Sequence, residues 1–237
     1  MNDSRAAGGD GRFLGAVTAA ACHDLMNHFA TFSQALGLME DCLAADARTR
    51  LRSLGFKGGF EHKERFQELI AMLHGQLERA VGLTEALALA AHSVDREGRD
   101  VPPPEAVRAL LVLCERLLKR RKVTAVLDTA APAATPPWPA LRQADYLGPV
   151  LEVLLACLPH MPMGGELRLA CRAGAGALAV TIGPGEGRFS DDARAACLGA
   201  ARAAGVEVAP GESLTLVFQE QPTSTPASCP PDAGQAS

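Results

Sequence analysis

The segment Cys22-His23-Asp24-Leu25-Met26-Asn27 brings an imidazole, a carboxylate and an amide into five consecutive positions, 23 to 27. These types suffice for nucleophilic chemistry at a ring nitrogen. A carboxylate that accepts from one nitrogen of an imidazole settles its tautomer and leaves the lone pair of the other nitrogen to attack. Asn27 follows His23 by four residues, one turn along the same helical face, where its amide can hold a water or a phosphoryl oxygen beside the ring. A His-Asp pair on a helix is also the composition of a plain solvated pair, so its meaning depends on the elements that carry it.

From Phe13 to about Ala45 there is no proline, and Leu25, Phe29, Phe32, Leu36, Met39 and Leu43 recur at alternating steps of four and three. That spacing predicts a long amphipathic helix with a coiled-coil-like seam. Leu25 lies about 200° round such a helix from His23, which places the imidazole off the apolar stripe. After a glycine-containing break (LGFKGGF, 54 to 60), Phe66, Ile70, Leu73, Leu77, Ala80 and Leu87 mark a second helix from about Glu61 to Ser93, antiparallel to the first. Two helices with a narrow seam still show part of it to water when paired. A second hairpin is the simplest cover, so a homodimeric four-helix bundle is expected, the alternative being a hairpin covered by the rest of its own chain.

VDREGRDVPPP (94 to 104) reads as a linker, Glu105 to Arg121 as a helix, Val123 to Asp128 as a strand, and Ala140 to Leu158 as an apolar helix closed by Pro159. Strands at Glu166 to Arg172, Ala177 to Ile182 and Ser213 to Phe218 and a helix at Asp191 to Ala204 follow. The fold class is therefore α+β: a long helical hairpin, residues 12–97, then a small sheet covered by helices, residues 101–219. The polar, Gly- and Pro-rich residues 1–11 and 220–237 are expected to be disordered tails.

Composition removes several functional classes. Lys and Arg number 23 against 27 Asp and Glu, a net charge of −4, which argues against a nucleic-acid or anionic-membrane partner. Aromatics make up 4%, too few for base-stacking platforms. The seven cysteines are scattered without CxxC spacing and read as reduced thiols, pointing to a cytoplasmic location. Phe13 to Cys22 has the outline of a lipoprotein leader, but the preceding residues are not net positive and the run merges into the helical pattern. No stretch reads as a membrane span, because Leu147 to Met163 is broken by Pro149, Glu152, Pro159 and Pro162.

Other candidates carry less. His28, about 140° from His23 and beside Phe29, reads as a packing or interfacial residue. His62, His74, His92 and His160 lack an acid at helical spacing, and Lys119-Arg120-Arg121-Lys122 suits a helix C-terminus.

HDLMN resembles the phosphoacceptor box of bacterial sensor histidine kinases, and it lies where that family places it, on the first helix of a dimerising hairpin. The resemblance runs unevenly over residues 13 to 218. Val101 to Asp128 looks like the opening helix and strand of the kinase ATPase domain, YLGPVLEVLLACLPHMPMGG (146 to 165) like its N-box helix and Met-Pro-x-Gly-Gly turn, and LAVTIGPG (178 to 185) like its first glycine box. The departures fall on the nucleotide machinery. The family's magnesium-binding Asn falls on Ala156 and its earlier N-box Asn on Glu152. Its adenine-reading Asp falls on Thr181. The segment from Gly185 to the last strand is too short for a second glycine box and an ATP lid.

The sequence is thus similar to the kinase-derived histidine phosphotransferases of bacterial phosphorelays, which join the dimerising hairpin to a degenerate ATPase-like α/β sandwich. That resemblance implies His23 as phosphoacceptor, Asp24 as orienting acid or base and Asn27 as polar helper. It implies response-regulator receiver domains as partners and no cofactor on this chain, with Mg2+ supplied by the receiver. The other reading is a non-catalytic pseudokinase scaffold or inhibitor that binds a regulator or a kinase.

Overall fold

The structure, a computed structural model, describes residues 3–52, 62–94, 101–128, 137–174, 176–209 and 211–220. Two long helices, α1 (Asp3–Arg52) and α2 (Lys63–His92), form the expected antiparallel hairpin. The glycine-containing break between them lies outside the described residues, as do residues 221–237 of the expected C-terminal tail.

The second half is a sheet covered on one face by helices. Helix α3 (Pro103–Arg121) starts on three consecutive prolines, Pro102 to Pro104, whose fixed φ suits a helix start where no N–H partner is needed. It stops at Lys122, which takes a left-handed φ of 54°. Strand β1 (Thr124–Asp128), helix α4 (Gln143–Cys157), a single 3-10 turn (Leu158–His160), strands β2 (Glu166–Gly174) and β3 (Ala177–Pro184), helix α5 (Asp191–Ala203), and strands β4 (Glu207–Ala209) and β5 (Leu214–Gln219) follow. The strand order is β1-β2-β3-β5-β4, with β1 and β2 parallel and the remaining pairs antiparallel. Leu167, Leu169, Leu178, Val180, Ile182, Leu214 and Leu216 alternate onto one face and are almost wholly buried there. Strand β4 has only three residues and no legible alternation, which is why the sequence does not announce it.

Helix α1 departs most from expectation. It begins at Asp3, inside the segment read as a tail, and Phe13, Val17 and Ala21 are buried in the core of the sheet domain with Leu110 and Leu147. Upstream of them, Asp10 lies 2.9 Å from Arg142 at the head of α4, and Arg142 also bonds Asp145 at 2.6 Å. This segment continues the helix that Phe13, Val17 and Ala21 dock, and the Asp10–Arg142 pair ties it to α4.

Tyr146 on α4 is almost fully buried, edge-on to Phe218 with ring centroids 6.1 Å apart, and its hydroxyl has no hydrogen-bond partner among the described residues. Burial pushes this phenol above its ordinary titration range. A buried hydroxyl without a partner carries its desolvation cost uncompensated. Tyr146→Phe is therefore expected to raise the unfolding free energy by about 1 kcal/mol in urea titrations; a loss of similar size would show that the hydroxyl is bonded.

Candidate functional site

His23 lies on α1 just beyond the stretch, Phe13 to Ala21, that packs into the core shared with α2 and the sheet domain. Its side chain is 51% exposed, while that of Asp24 is 22% exposed. Neighbours on a helix project about 100° apart, yet Asp24 Oδ1 comes back to 3.5 Å from His23 Nδ1. Asn27, one turn on, places its amide 3.1 Å from the same Nδ1. Both polar neighbours predicted from the sequence therefore converge on one ring nitrogen, and Nε2 has no partner among the described residues.

The sequence suggests that Asn27 holds a water or a phosphoryl oxygen; in the structure its amide grips the ring itself. An amide nitrogen at Nδ1 pairs with the Nε2–H tautomer, and half a turn of the amide presents its oxygen and pairs with Nδ1–H. The negative charge of Asp24 beside Nδ1 favours the second arrangement, which frees the Nε2 lone pair.

A third group reaches the site from the other domain. Arg116 of α3 places Nε 3.8 Å from the same Oδ1 of Asp24. Nothing in the sequence points to it, because it is 92 positions from Asp24 and is one of several arginines on α3. His28 points elsewhere: its Nδ1 bonds Gln76 Oε1 of α2 at 2.7 Å, a polar pair inside the hairpin, in keeping with a packing role. His74, His92 and His160 are exposed and His62 is half-buried. Lys119, Arg120 and Arg121 close α3, where cations meet the negative end of the helix, and Lys119 pairs with Glu115 at 2.6 Å.

Thr181 and the turn around Gly185 make contacts within the sheet domain. Thr181 shares a 3.2 Å hydrogen bond with Thr215 across β3 and β5. Gly185 is needed for packing. Its N–H donates to Glu166 O at 2.7 Å, and an added Cβ would stand 2.8 Å from Glu166 Cβ. The Glu166 carboxylate is 2.7 Å from Arg168 and lies against this turn. Gly164, at φ 81°, is the other constrained glycine; its N–H donates to Lys122 O at 2.8 Å and ties the Met-Pro-Met-Gly-Gly turn to the end of α3. Ala156, on α4, is half-buried. The span beyond Gly185 is used by α5 and β4.

Among the described residues, no group of three or more His, Cys, Asp and Glu side chains is placed to hold a metal ion. Within those residues no helix is long and apolar enough to cross a membrane. Six cysteines, 22, 42, 114, 157, 171 and 197, are free thiols, and Cys229 lies outside the described residues. Burial pushes Cys114 and Cys171 up to about 12.

No family model and no curated protein matches this sequence. Among solved structures, the chain is similar to a bacterial phosphotransferase at 16% identity and a TM-score of 0.38, over 86% of this chain and 94% of that one. It is also similar to a histidine kinase from Burkholderia phymatum at 14% identity and a TM-score of 0.34, over 82% and 97% of the two chains. The cytoplasmic segment of the histidine kinase QseC is similar at 14% identity and a TM-score of 0.33, over 61% and 93%. At these values none of them assigns a role to a residue of this chain.

Proposed function

We propose that the chain is a histidine phosphotransferase of a bacterial phosphorelay, acting in the cytoplasm as a homodimer. It takes a phosphoryl group from the aspartyl phosphate of one receiver domain onto His23 and passes it to the Asp of another. One observation carries this reading: His23 is exposed, with Asp24 and Asn27 gathered at Nδ1 and Nε2 left free. In the forward step Nε2 attacks phosphorus, the P–O bond of the acyl phosphate breaks, and the receiver carboxylate leaves with the electron pair. The Nδ1–H remains beside Asp24, which offsets the positive charge that develops on the ring. The return step is the reverse on a second carboxylate. The chain has only to position the imidazole and offer a docking surface, since a loose phosphoryl transfer asks mainly for alignment. The divalent cation in this scheme belongs to the receiver.

Purified chain mixed with a 32P-phosphorylated receiver is expected to acquire an acid-labile, base-stable label, since the P–N bond breaks once its nitrogen is protonated. Stable receiver binding with no label on this chain would overturn the transfer reading in favour of the scaffold.

ATP belongs to the same proposal. With Ala156, Thr181 and the Glu166 carboxylate where a nucleotide would need ligands, calorimetry with magnesium and ATP is expected to show no binding up to about millimolar, a free energy weaker than about −4 kcal/mol. A micromolar dissociation constant would return the chain to the ATP-dependent kinases.

A further inference from the structure

Asp24 cannot rely on its own helix to stay on the His23 ring. Side chains at i and i+1 diverge by about 100°, and a carboxylate with that freedom turns to water unless something holds it. Its neighbours one turn away are Ala20, Ala21, Asn27 and His28, and His28 is already bonded to Gln76. Arg116 likewise has no acid one turn away on α3, where Val112, Leu113, Lys119 and Arg120 stand at the relevant spacings and the two cations repel it. Each group is the other's partner. Both contacts run through the same oxygen, Asp24 Oδ1, at 3.5 Å from His23 Nδ1 and 3.8 Å from Arg116 Nε.

Helix α3 can hold this guanidinium in place because its other face is fixed. Ala106, Val107, Leu110, Leu113 and Cys114 are buried in the core that also takes up Phe13, Val17 and Ala21 of α1. The stretch of α1 just before His23 and the helix that carries Arg116 thus belong to one packed unit.

We infer that Arg116 is a positioning residue: it holds the Asp24 carboxylate against Nδ1 of His23, so that the sheet domain sets the tautomer of the acceptor histidine through one guanidinium. The inference rests on the phosphotransfer reading of His23 and assigns the sheet domain a part in it that needs no nucleotide. A partly exposed ion pair is a weak contributor to stability, so its effect belongs in the carboxylate's orientation and not in the folding free energy.

The test uses the full chain with 15N-labelled imidazoles and the variants Arg116→Ala, Arg116→Lys, Asp24→Asn and the Ala/Asn double. In the wild type, 15N shifts of His23 are expected to report mainly Nδ1–H. Arg116→Ala should move the ratio toward the Nε2–H preference of free histidine, and Arg116→Lys should restore more than half of the change. Single-turnover transfer at saturating receiver should slow about fivefold in Arg116→Ala, with half-saturation changed less than about twofold. In the Asp24→Asn background the Arg116→Ala change should add nothing. An unchanged tautomer ratio in Arg116→Ala overturns the inference, as does an equal slowing in the presence and absence of Asp24. The tautomer is read without any partner. A wild-type chain that takes no label therefore sinks phosphotransfer alone and leaves the role of Arg116 to be decided by its own readout.

Discussion

His23→Ala is expected to abolish labelling by a phosphorylated receiver while leaving far-UV circular dichroism and the urea midpoint unchanged. The two halves of that result have separate causes. The ring is half exposed and lies off the buried face of α1, so its removal leaves no cavity and breaks only the contacts to Asp24 and Asn27. The label is expected to go with His23 because that ring has an acid and an amide at one nitrogen, whereas His28 is bonded to Gln76 inside the hairpin. Asp24→Asn keeps the shape and removes the charge that faces Nδ1; transfer should slow by about 10²-fold with receiver binding retained. Asn27→Ala frees one side of the ring and should cost less than Asp24→Asn, because the carboxylate and its Arg116 anchor remain. His28→Ala should keep the label and lower stability by about 1 kcal/mol, since it leaves Gln76 without its partner inside the hairpin. Retained labelling in His23→Ala would sink the assignment.

The chain is expected to scatter light as about twice 24.7 kDa, and a double charge substitution, Phe29→Glu with Leu36→Glu, should halve that mass without unfolding it. Pairing with α2 covers only part of the apolar pattern of α1. Ala21 and Ala35 are buried, and Leu25, His28, Phe32 and Met39 are partly covered. Phe29, Leu36 and Leu43 stay 52–53% exposed, Met26 is 66% exposed, and Leu77 and Val81 of α2 are 53% and 48% exposed. Side chains of this size gain about 1.5–3 kcal/mol each on full burial, so covering half of each gains about 1 kcal/mol per residue, several kcal/mol per chain. Such a stripe on both helices is self-complementary in a two-fold arrangement, the geometry of a four-helix bundle. His23 is about 120° round α1 from Phe29, so a second copy seated on the stripe leaves the imidazole on the flank, accessible to a receiver. A wild-type monomer at tens of micromolar would overturn the dimer, and loss of helicity in the double variant would show that these side chains serve the fold of one chain.

Much of the architecture was legible in order and type. The alternating four-three spacing marked α1 and α2, the proline run marked the start of α3, and alternating apolar residues marked β2, β3 and β5, because each of these patterns is a local period that a single element must satisfy. The proximity of His23, Asp24 and Asn27 was legible in the same way: they sit within one turn and a half of one helix, so spacing alone brought them together. The spacing also implies that pairing with α2 leaves part of the α1 stripe open, and the structure shows which residues those are: Met26, Phe29, Leu36 and Leu43. That selection depends on how the two helices roll against each other, which no single helix specifies.

What the sequence by itself determined is the set of groups on offer: an exposed imidazole with an acid beside it and an amide one turn on, a helical hairpin to display them, and a glycine turn in the sheet domain. Only the tertiary structure decided how those groups are set. It carried α1 back to Asp3 and docked Phe13 and Val17 in the sheet domain, turned Asn27 onto the ring, laid Glu166 against Gly185, and brought Arg116 to Asp24 across 92 positions. Each of these depends on surfaces contributed by distant segments. Helical and strand periods report which residues share a face, but the partner that meets that face is chosen by packing of the whole chain.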